Sequence, residues 1–427
     1  MLMNQTDRIM IGRWNDSLAG AALSVATQIQ MFILVISLIL GSSMAITLQT
    51  ICARRKGEGN LIQAGETFQT GVIISFILGL IFSTIVYLFH DNLIILLVGS
   101  KNPLLYELGE PYFRWRSFEL CFIIVTFSYR GFYNGIGLTK IPMYLTIIRV
   151  SLNIFFNALL IYGIWGFPEL GVEGAGIGSL LATFISFLVF TLYILLSKSK
   201  HEYQYLKISN PLKFSRIWSI IRLSFPGSLQ YAAMFGNIFF NTVIIIVFGE
   251  IMGGASSMIF AISNIMFMIV LGLGISGTSL VGQSLGRKMP ELAEMYAYDI
   301  VKIGMFIMGI FNLIIFIFPE MFLRIYTNND TVVNIGILPL RIFVTAQVFN
   351  AAGVILSKCL QGAGAQKQVT IIEYIAQFWQ VSLTLLLGFV FHVPFWALWV
   401  GFISYQLLMF LLNYGFFRTK KWKSLKV

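Results

Sequence analysis

Long apolar runs recur along the whole chain, and this pattern constrains the fold more than any other feature. Stretches of eighteen or more residues with few charges alternate with short polar segments. A helix needs about twenty apolar residues to cross a bilayer. Only 11% of the residues are charged, against about 25% in a soluble domain. The sequence therefore predicts an all-α polytopic membrane protein.

The apolar runs divide the chain into one partial span and eleven full spans. The partial span covers residues 1–12 and is too short to cross a bilayer alone. The full spans are predicted at 18–50, 66–89, 112–135, 141–163, 173–197, 217–248, 254–284, 293–318, 335–360, 368–391 and 394–417. The runs at 18–50, 217–248 and 254–284 exceed the thickness of a bilayer, so we expect tilt or extension into water.

The basic residues indicate the orientation of the chain in the membrane. The formal net charge is +11, which in a soluble protein would suggest a nucleic-acid partner. Here Lys and Arg concentrate in alternate loops, at 54–60, 198–216 and 285–292, and in the last residues, 418–427. The positive-inside rule places these loops and both termini in the cytoplasm. The sequence predicts a multi-pass protein of the cell inner (plasma) membrane with no nucleic-acid partner.

The cysteines and the start of the chain add little chemistry. Cys52, Cys121 and Cys359 lie in or beside apolar segments at unrelated spacings. Such cysteines form neither a disulfide framework nor a metal site, and we expect them to be small buried hydrophobic residues. The first residues lack the pattern of a cleaved signal peptide.

Short motifs recur in the same order in the two halves of the chain. "KGEGNLIQAGE" is matched by "LGRKMPELAEM", so that Gly57 aligns with Gly286 at a shift of 229 residues. "YNGIGLTKIP" is matched by "LQGAGAQKQV", so that Gly135 aligns with Gly362 at a shift of 227. Six spans per half preserve the orientation, which predicts a parallel repeat about an axis along the membrane normal.

The repeat predicts the domains. Residues 1–197 form an N-terminal six-helix bundle whose first helix is incomplete. Residues 217–417 form a C-terminal six-helix bundle, and a cytoplasmic linker at 198–216 joins the two. Residues 418–427 form a basic cytoplasmic tail.

The repeat also bears on an acid near the start, Asp7, in "NQTDRIMIGRWND". Gly12 and Gly249 mark the end of the first span of each half, and the seventh span begins near Ile217. By this comparison the first helix lacks roughly twenty residues at its beginning. Asp7 is then placed inside a helix; the alternative is a solvated residue at a frayed terminus.

Two asparagines form a second polar feature. Asn153 and Asn157 are four residues apart, so they share a face of one helix. Their amide oxygens suit coordination of a cation, whereas their amide groups equally suit hydrogen bonds to neighbouring helices. The residues alone leave both alternatives open.

These motifs resemble the multidrug and toxic compound extrusion (MATE) family of secondary transporters over essentially the whole chain. "TDRIMIGR" is similar to that family's first-helix ending, an Asp followed by an apolar triplet and Gly. "NIFFNALLIYGIWGFPELGVEGAGIGS" (Asn153–Ser179) is similar to its fifth helix, loop and sixth helix, and is the most specific stretch. The G-x-G turns before Lys140 and Lys367 also fit.

The resemblance implies two bundles around a central cavity that opens alternately to each side. Amphipathic, cationic small molecules such as drugs and toxins would leave in exchange for Na+ or H+. The ion-coupling residues would be Asp7, Asn153, Asn157 and Ser179, with Na+ held at the first three as one alternative and a proton as the other. Some branches carry a Glu in the seventh helix, but Met234 lies about there, which argues against a second acidic site.

The same resemblance implies a monomer in contact with membrane lipid. No cofactor besides the coupling ion and no catalytic residue are predicted. The nearest alternative function is that of a lipid-linked oligosaccharide flippase of the same superfamily, which tends to have basic residues in its cavity. Arg149 is the one basic residue placed to suggest it, and an interfacial anchor is the simpler interpretation.

An enzyme is a third class of function. "GISG" (Gly274–Gly277) matches the serine motif of intramembrane rhomboid proteases, but such an enzyme needs a His base on a facing helix. His90 and His201 lie in predicted loops, and His392 lies at the edge of a span. Together with "GVEGAGIG", which lacks a βαβ context, this glycine motif is typical of close helix packing. The chain contains no phosphate-binding loop, so ATP is not expected to drive it.

Overall fold

The computed structural model describes residues 2–14, 18–98, 103–205, 213–233, 243, 247–327 and 329–425. Within these ranges the regular structure is helical, without strands. A backbone in lipid has no water to bond, so an apolar segment satisfies its N–H and C=O groups as a helix. Nine helices in the described part of the chain are long and apolar enough to cross a membrane. The predicted all-α polytopic fold is confirmed.

The first half contains α1 to α9. The segment α2 continues through one π-helical turn (Leu38–Ser42) into α3. Short helices, α5 and α9, follow α4 and α8. The bounds are α1 Leu2–Ile11, α2 Ala19–Ser37, α3 Ser43–Gly57, α4 Leu61–Leu88, α5 His90–Val98, α6 Pro103–Gly135, α7 Lys140–Ile161, α8 Gly171–Leu196 and α9 Ser199–Tyr203.

The second half contains α10 to α16. Here α15 ends in a π-helical turn (Leu386–Val390), and α13 is a short helix after α12. The bounds are α10 Phe214–Ala233, α11 Glu250–Gly286, α12 Pro290–Ile317, α13 Pro319–Arg324, α14 Asp330–Gly362, α15 Gln366–Leu385 and α16 Phe395–Arg418.

Several helices extend beyond the predicted apolar windows. The run predicted at 18–50 continues to Gly57, and the run predicted at 112–135 begins at Pro103 and continues through Pro111. A helix does not end where lipid ends, because its hydrogen bonds also form in water. The last turn of α3 carries three basic residues, which interact favourably with the negative end of the helix dipole.

The chain forms two compact units. The first contains Met1–Cys52 and Leu61–Ser224, and the second contains Ala53–Asn60 and Phe225–Val427. In the predicted linker at 198–216, Tyr203 and Tyr205 are buried among aromatic residues of the first unit. The described beginning of the predicted linker therefore packs against the first unit. The predicted limits of the domains stay a prediction.

The sequence repeat corresponds to a repeat of close helix contacts. A Cβ added to Gly57 would lie 2.1 Å from the backbone oxygen of Gln283, and one added to Gly286 would lie 2.2 Å from that of Arg54. The shift of 229 residues relates Gly57 to Gly286, and it also relates Arg54 to Gln283. Glycine at both positions allows the ends of α3 and α11 to cross at backbone contact.

The G-x-G turns repeat in the same way. After α6 and α14, Gly137 has φ 81° and Gly364 has φ 91°. These values lie in the left-handed region that glycine adopts without strain. Glycine at these two positions allows the chain to turn directly from α6 into α7 and from α14 into α15.

The glycines of "GISG" make room for side chains of α14. A Cβ at Gly274 would lie 2.7 Å from Cγ of Lys358, and one at Gly277 would lie 2.7 Å from Sγ of Cys359. The interpretation of this motif as a packing surface is confirmed. All three cysteines are buried, as predicted.

The predicted basic tail folds back onto the second unit as far as it is described. Trp422 is fully buried and stacks on Phe417. The Lys423 ammonium lies 2.5 Å from Glu294 and 3.0 Å from Glu291. Partial burial alone would lower the pKa of Lys423, but the hydrogen bonds to these two carboxylates raise it above its ordinary value.

Candidate functional site

The structure brings the four predicted site residues together in the first unit. Asp7 is fully buried on α1. Its Oδ1 accepts hydrogen bonds from Nδ2 of Asn153 (3.0 Å) and Nδ2 of Asn157 (2.5 Å). Its Oδ2 accepts a hydrogen bond from the hydroxyl of Ser179 (3.0 Å). Asp7 is therefore not a solvated terminal residue.

Close packing of α7 against α8 sets the geometry of this cluster. Asn153 and Asn157 lie one turn apart on α7, and Ser179 lies on α8. A Cβ at Gly174 would lie 2.4 Å from the backbone oxygen of Leu160, and one at Gly178 would lie 2.4 Å from Oδ1 of Asn157. The motif "GVEGAGIG" is thus a helix-packing surface, as predicted, and Gly178 leaves room for the amide of Asn157.

Two further side chains belong to the cluster, and the sequence analysis missed both. Nε2 of Gln30, on α2, donates to Oδ2 of Asp7 (3.4 Å) and to the hydroxyl of Tyr112 (3.1 Å). The Thr6 hydroxyl donates to Oδ1 of Asn153 (2.9 Å). The available signal was a polar residue inside an apolar helix, because such residues usually face a partner or a cavity.

The side chains of the cluster provide oxygen atoms of the kinds that bind cations in proteins. The cluster offers carboxylate, amide and hydroxyl oxygens, which suit hard cations. Among the described residues, Oδ1 of Asn157 is buried without a hydrogen-bond partner. The described part of the chain contains no group of three or more His, Cys, Asp and Glu residues that would suit a transition metal. Asp7 alone supplies formal negative charge to this oxygen set.

A second polar cluster lies in the second unit. Glu373, on α15, is buried and accepts a hydrogen bond from the Tyr405 hydroxyl of α16 (2.9 Å). Lys358, on α14, is also buried, and its ammonium donates to Oε1 of Gln361 (3.1 Å) and interacts electrostatically with Glu373. The family resemblance implied a second acid only in the seventh helix, so Glu373 was not predicted. Met234 lies outside the described residues.

Comparisons with known proteins agree with this architecture. The sequence model of the MatE family matches residues 1–159 and 228–386, once in each half. The chain is 27% identical to the probable multidrug resistance protein NorM of Thermotoga maritima, over 99% of this chain and 89% of that protein. It is 24% identical to the multidrug resistance protein NorM of Vibrio vulnificus, over 90% of this chain and 84% of that protein.

Solved structures share the fold. An outward-facing multidrug resistance transporter of the MATE family superposes with a TM-score of 0.86 at 20% identity, over 98% of this chain and 91% of that one. A MATE protein in a straight conformation gives a TM-score of 0.86 at 20% identity, over 98% and 93%. The members of this family are transport proteins rather than enzymes. The chain, with its family match in both halves, is a multi-pass membrane protein that belongs to the MATE family of transporters.

Proposed function

We propose that this chain is a secondary antiporter that exports amphipathic, cationic small molecules in exchange for Na+ or H+. The observation that carries the proposal is the fully buried Asp7 carboxylate, surrounded by Asn153, Asn157 and Ser179. The naming of its relatives as multidrug resistance proteins supports export of drug-like molecules.

A buried carboxylate provides the means of coupling. A bare charge inside a membrane bundle costs about 2.5–3.5 kcal/mol on insertion scales. Either a bound proton or a bound Na+ removes this cost, because both neutralise Asp7. The cation can bind more tightly to one conformation of the bundle than to another. Binding then shifts the population towards the conformation with the higher affinity. This shift is the step that links ion entry to substrate exit.

The site suits either ion. When Asp7 takes up a proton, its carboxyl group becomes neutral, and the oxygen that carries the proton becomes a hydrogen-bond donor. As a Na+ ligand, Asp7 acts with the Ser179 hydroxyl and the amide oxygens of Asn153 and Asn157, because rotation of an amide by half a turn exchanges its NH2 for its oxygen. The unpartnered Oδ1 of Asn157 among the described residues favours a role as ligand.

The flippase alternative receives no support from the relatives, which are named for multidrug resistance. Arg149 is mostly buried on α7 and interacts electrostatically with Glu119 of α6. This partner within the bundle gives Arg149 a role that requires neither a lipid-linked sugar nor an interfacial anchor.

The proposal includes a location in the plasma (inner) membrane with both termini in the cytoplasm. The basic loops carry this orientation. We expect a cysteine introduced by Lys207→Cys to react with a membrane-impermeant maleimide only after cells are opened. The three native cysteines are buried and give a low background. Labelling of intact cells at position 207 would contradict the orientation.

The antiport mechanism is tested with purified protein in proteoliposomes that contain a fluorescent lipophilic cation. An imposed Na+ or pH gradient should drive transport without ATP, and Asp7→Asn should abolish the response to the gradient. Asp91→Asn, which removes an exposed carboxylate of the same unit, is the matched control and should behave as wild type. Gradient-driven transport that survives in Asp7→Asn, or transport that requires ATP, would contradict the proposal.

A further inference from the structure

The first unit contains a second buried carboxylate, which the proposed coupling step does not use. Glu119 of α6 is fully buried and forms an ion pair with Arg116, which is 1% exposed. The two residues are three positions apart on the same helix. The Thr183 hydroxyl donates to Oε1 of Glu119 at 2.7 Å. An ion pair this deeply buried has strong electrostatic effects on its surroundings, because little water screens it.

This ion pair lies beside the Asp7 cluster. On α8, Ser179 donates to Asp7 and Thr183, one turn later, donates to Glu119. The two carboxylates are therefore bound by successive turns of one helix face. A second connection runs through α6, where the Arg116 guanidinium lies 5.9 Å from the centroid of the Tyr112 ring.

Tyr112 completes a path between the two acids. Its hydroxyl accepts a hydrogen bond from Gln30, which also donates to Asp7. Arg116 interacts electrostatically with both Asp7 and Glu119. Among the described residues, Nε of Arg116 has no hydrogen-bond partner. Arg116 is thus a buried cation with two carboxylates within electrostatic range and an ion-pair contact to only one of them.

The fully buried charges of this region sum to one negative charge. They are the carboxylates of Asp7 and Glu119 and the guanidinium of Arg116. Two other arginines face the region: Arg8, which donates to Gln30, and Arg149, which interacts with Glu119. Both are partly exposed by residue, but Nε of Arg149 is buried without a hydrogen-bond partner among the described residues. Arg149 interacts most strongly with Glu119 and less strongly with Asp7. One monovalent cation would neutralise the three fully buried charges of Asp7, Glu119 and Arg116.

We infer that Glu119 positions Arg116 away from Asp7 and thereby keeps the Asp7 carboxylate available to the coupling cation. This inference rests on the proposed function and adds two positioning residues to it. Without the charge of Glu119, the Arg116 guanidinium has Asp7 as its remaining buried counter-ion and replaces the coupling cation there. Without the charge of Arg116, Asp7 and Glu119 keep only Arg8 and Arg149 as nearby cations among the described residues and attract the coupling cation more strongly.

The two single variants therefore have opposite effects on cation affinity. Glu119→Gln should raise the half-saturating concentration of the coupling cation by at least about tenfold, and Arg116→Gln should lower it by about threefold or more. The double variant Arg116→Gln/Glu119→Gln removes both charges and should return within about threefold of wild type. A merely structural role would impair both single variants in the same direction.

The measurement is gradient-driven efflux of the lipophilic cation from proteoliposomes, titrated with the cation that drives the wild-type protein. The half-saturating concentration does not depend on how much folded protein is recovered. If Glu119→Gln does not fold, the direction of the shift in Arg116→Gln decides. Shifts of the same sign in both single variants, or a double variant as impaired as Glu119→Gln, would overturn the inference.

The inference and the proposed function fail in distinguishable ways. Gradient-driven efflux that survives in Asp7→Asn overturns the coupling role of Asp7. Loss of coupling in Asp7→Asn together with an unchanged half-saturating concentration in Glu119→Gln overturns only the role of the Arg116–Glu119 pair.

Discussion

The two units each bury a carboxylate, but they surround it differently. In the first unit Asp7 accepts hydrogen bonds from neutral amides and a hydroxyl, and the nearby Arg116 is paired with Glu119. In the second unit Glu373 accepts a bond from Tyr405, with the buried Lys358 as its electrostatic partner. Neither carboxylate has an ion-pair contact with a basic side chain among the described residues, and each has a buried cation within electrostatic range. Arg116 is already paired with Glu119, whereas Lys358 donates to the neutral amide of Gln361 and has no ion-pair contact with another carboxylate among the described residues. This difference is why we assign ion coupling to Asp7.

Glutamines extend the polar cluster of the second unit. Nε2 of Gln361 donates to Oε1 of Gln230 at 2.7 Å, and Nε2 of Gln366 donates to the same oxygen at 3.3 Å. Gln361 also accepts the bond from Lys358. Satisfied networks of this kind hold helices together in lipid. The comparison predicts that variants in the first unit change coupling and that those in the second change stability.

Among variants that keep the charge of the Asp7 site, the largest effect is expected from crowding it. In Gly178→Ala the new Cβ would lie 2.4 Å from Oδ1 of Asn157, so the amide that donates to Asp7 must shift from its present position. Gradient-driven efflux should fall by at least about tenfold, since one misplaced ligand alters the whole site. Gly272→Ala, where the new Cβ meets no heavy atom within 4 Å, is the control. Equal efflux by Gly178→Ala and Gly272→Ala would contradict the assignment of ion coupling to the first unit.

An intermediate effect is expected from removal of one hydroxyl on α8. Ser179→Ala removes a hydrogen bond to a charged group, which contributes about 1.5–3 kcal/mol or roughly tenfold or more in affinity. If Na+ is the coupling ion, its half-saturating concentration should rise because a ligand oxygen is lost. A proton carrier should respond in the opposite direction, because the ionised carboxylate loses a donor. The measurement thereby distinguishes the two ions.

Ser186→Ala is the matched control for this prediction. Ser186 lies on the same helix, is buried, and has an Oγ without a hydrogen-bond partner among the described residues. Its removal should leave the cation dependence of efflux unchanged. A shift in Ser186→Ala as large as that in Ser179→Ala would show that any buried hydroxyl on α8 affects coupling.

The smallest effect on coupling is expected in the second unit. Tyr405→Phe removes the hydrogen bond to Glu373 and should lower the stability of the protein by about 1–3 kcal/mol, because a buried acceptor loses its partner. The half-saturating concentration of the coupling cation should stay within about twofold of wild type. Thermal unfolding in detergent and cation titration of efflux measure the two quantities. A shift in cation affinity without loss of stability would place coupling in the second unit as well.

Sequence patterns predicted most of the fold because a helix or a turn depends mainly on residues that are close together in the sequence. Apolar length predicts helices, and the glycines at 57, 286, 135 and 362 predict the repeat, since backbone contact or a tight turn tolerates few other residues. Asp7 and the three residues around it were also predicted as a site, but through the resemblance to the MATE family. Spacing alone placed only Asn153 and Asn157 on one helix face. The limits of α6 were not predicted, because residues 103–111 contain two acids, a glycine and two prolines and are nevertheless helical.

Pairings between distant helices were the part that sequence could not supply. Gln30, Arg116 and Glu119 are ordinary polar residues within apolar spans, and their importance arises only when α2 and α6 pack beside α1 and α8. The same holds for Lys358 and Glu373, which lie on different helices of the second unit. A single sequence without these contacts does not distinguish a satisfied structural pair from a coupling group.

The most direct test of the central claim is a comparison of cation binding by wild type, Asp7→Asn and Glu373→Gln. Binding of radioactive Na+ and release of protons on substrate addition are measured on the purified proteins. The account predicts that Asp7→Asn loses cation binding, whereas Glu373→Gln retains the stoichiometry of wild type. Loss of binding in Glu373→Gln with full binding in Asp7→Asn would contradict the assignment of ion coupling to the first unit.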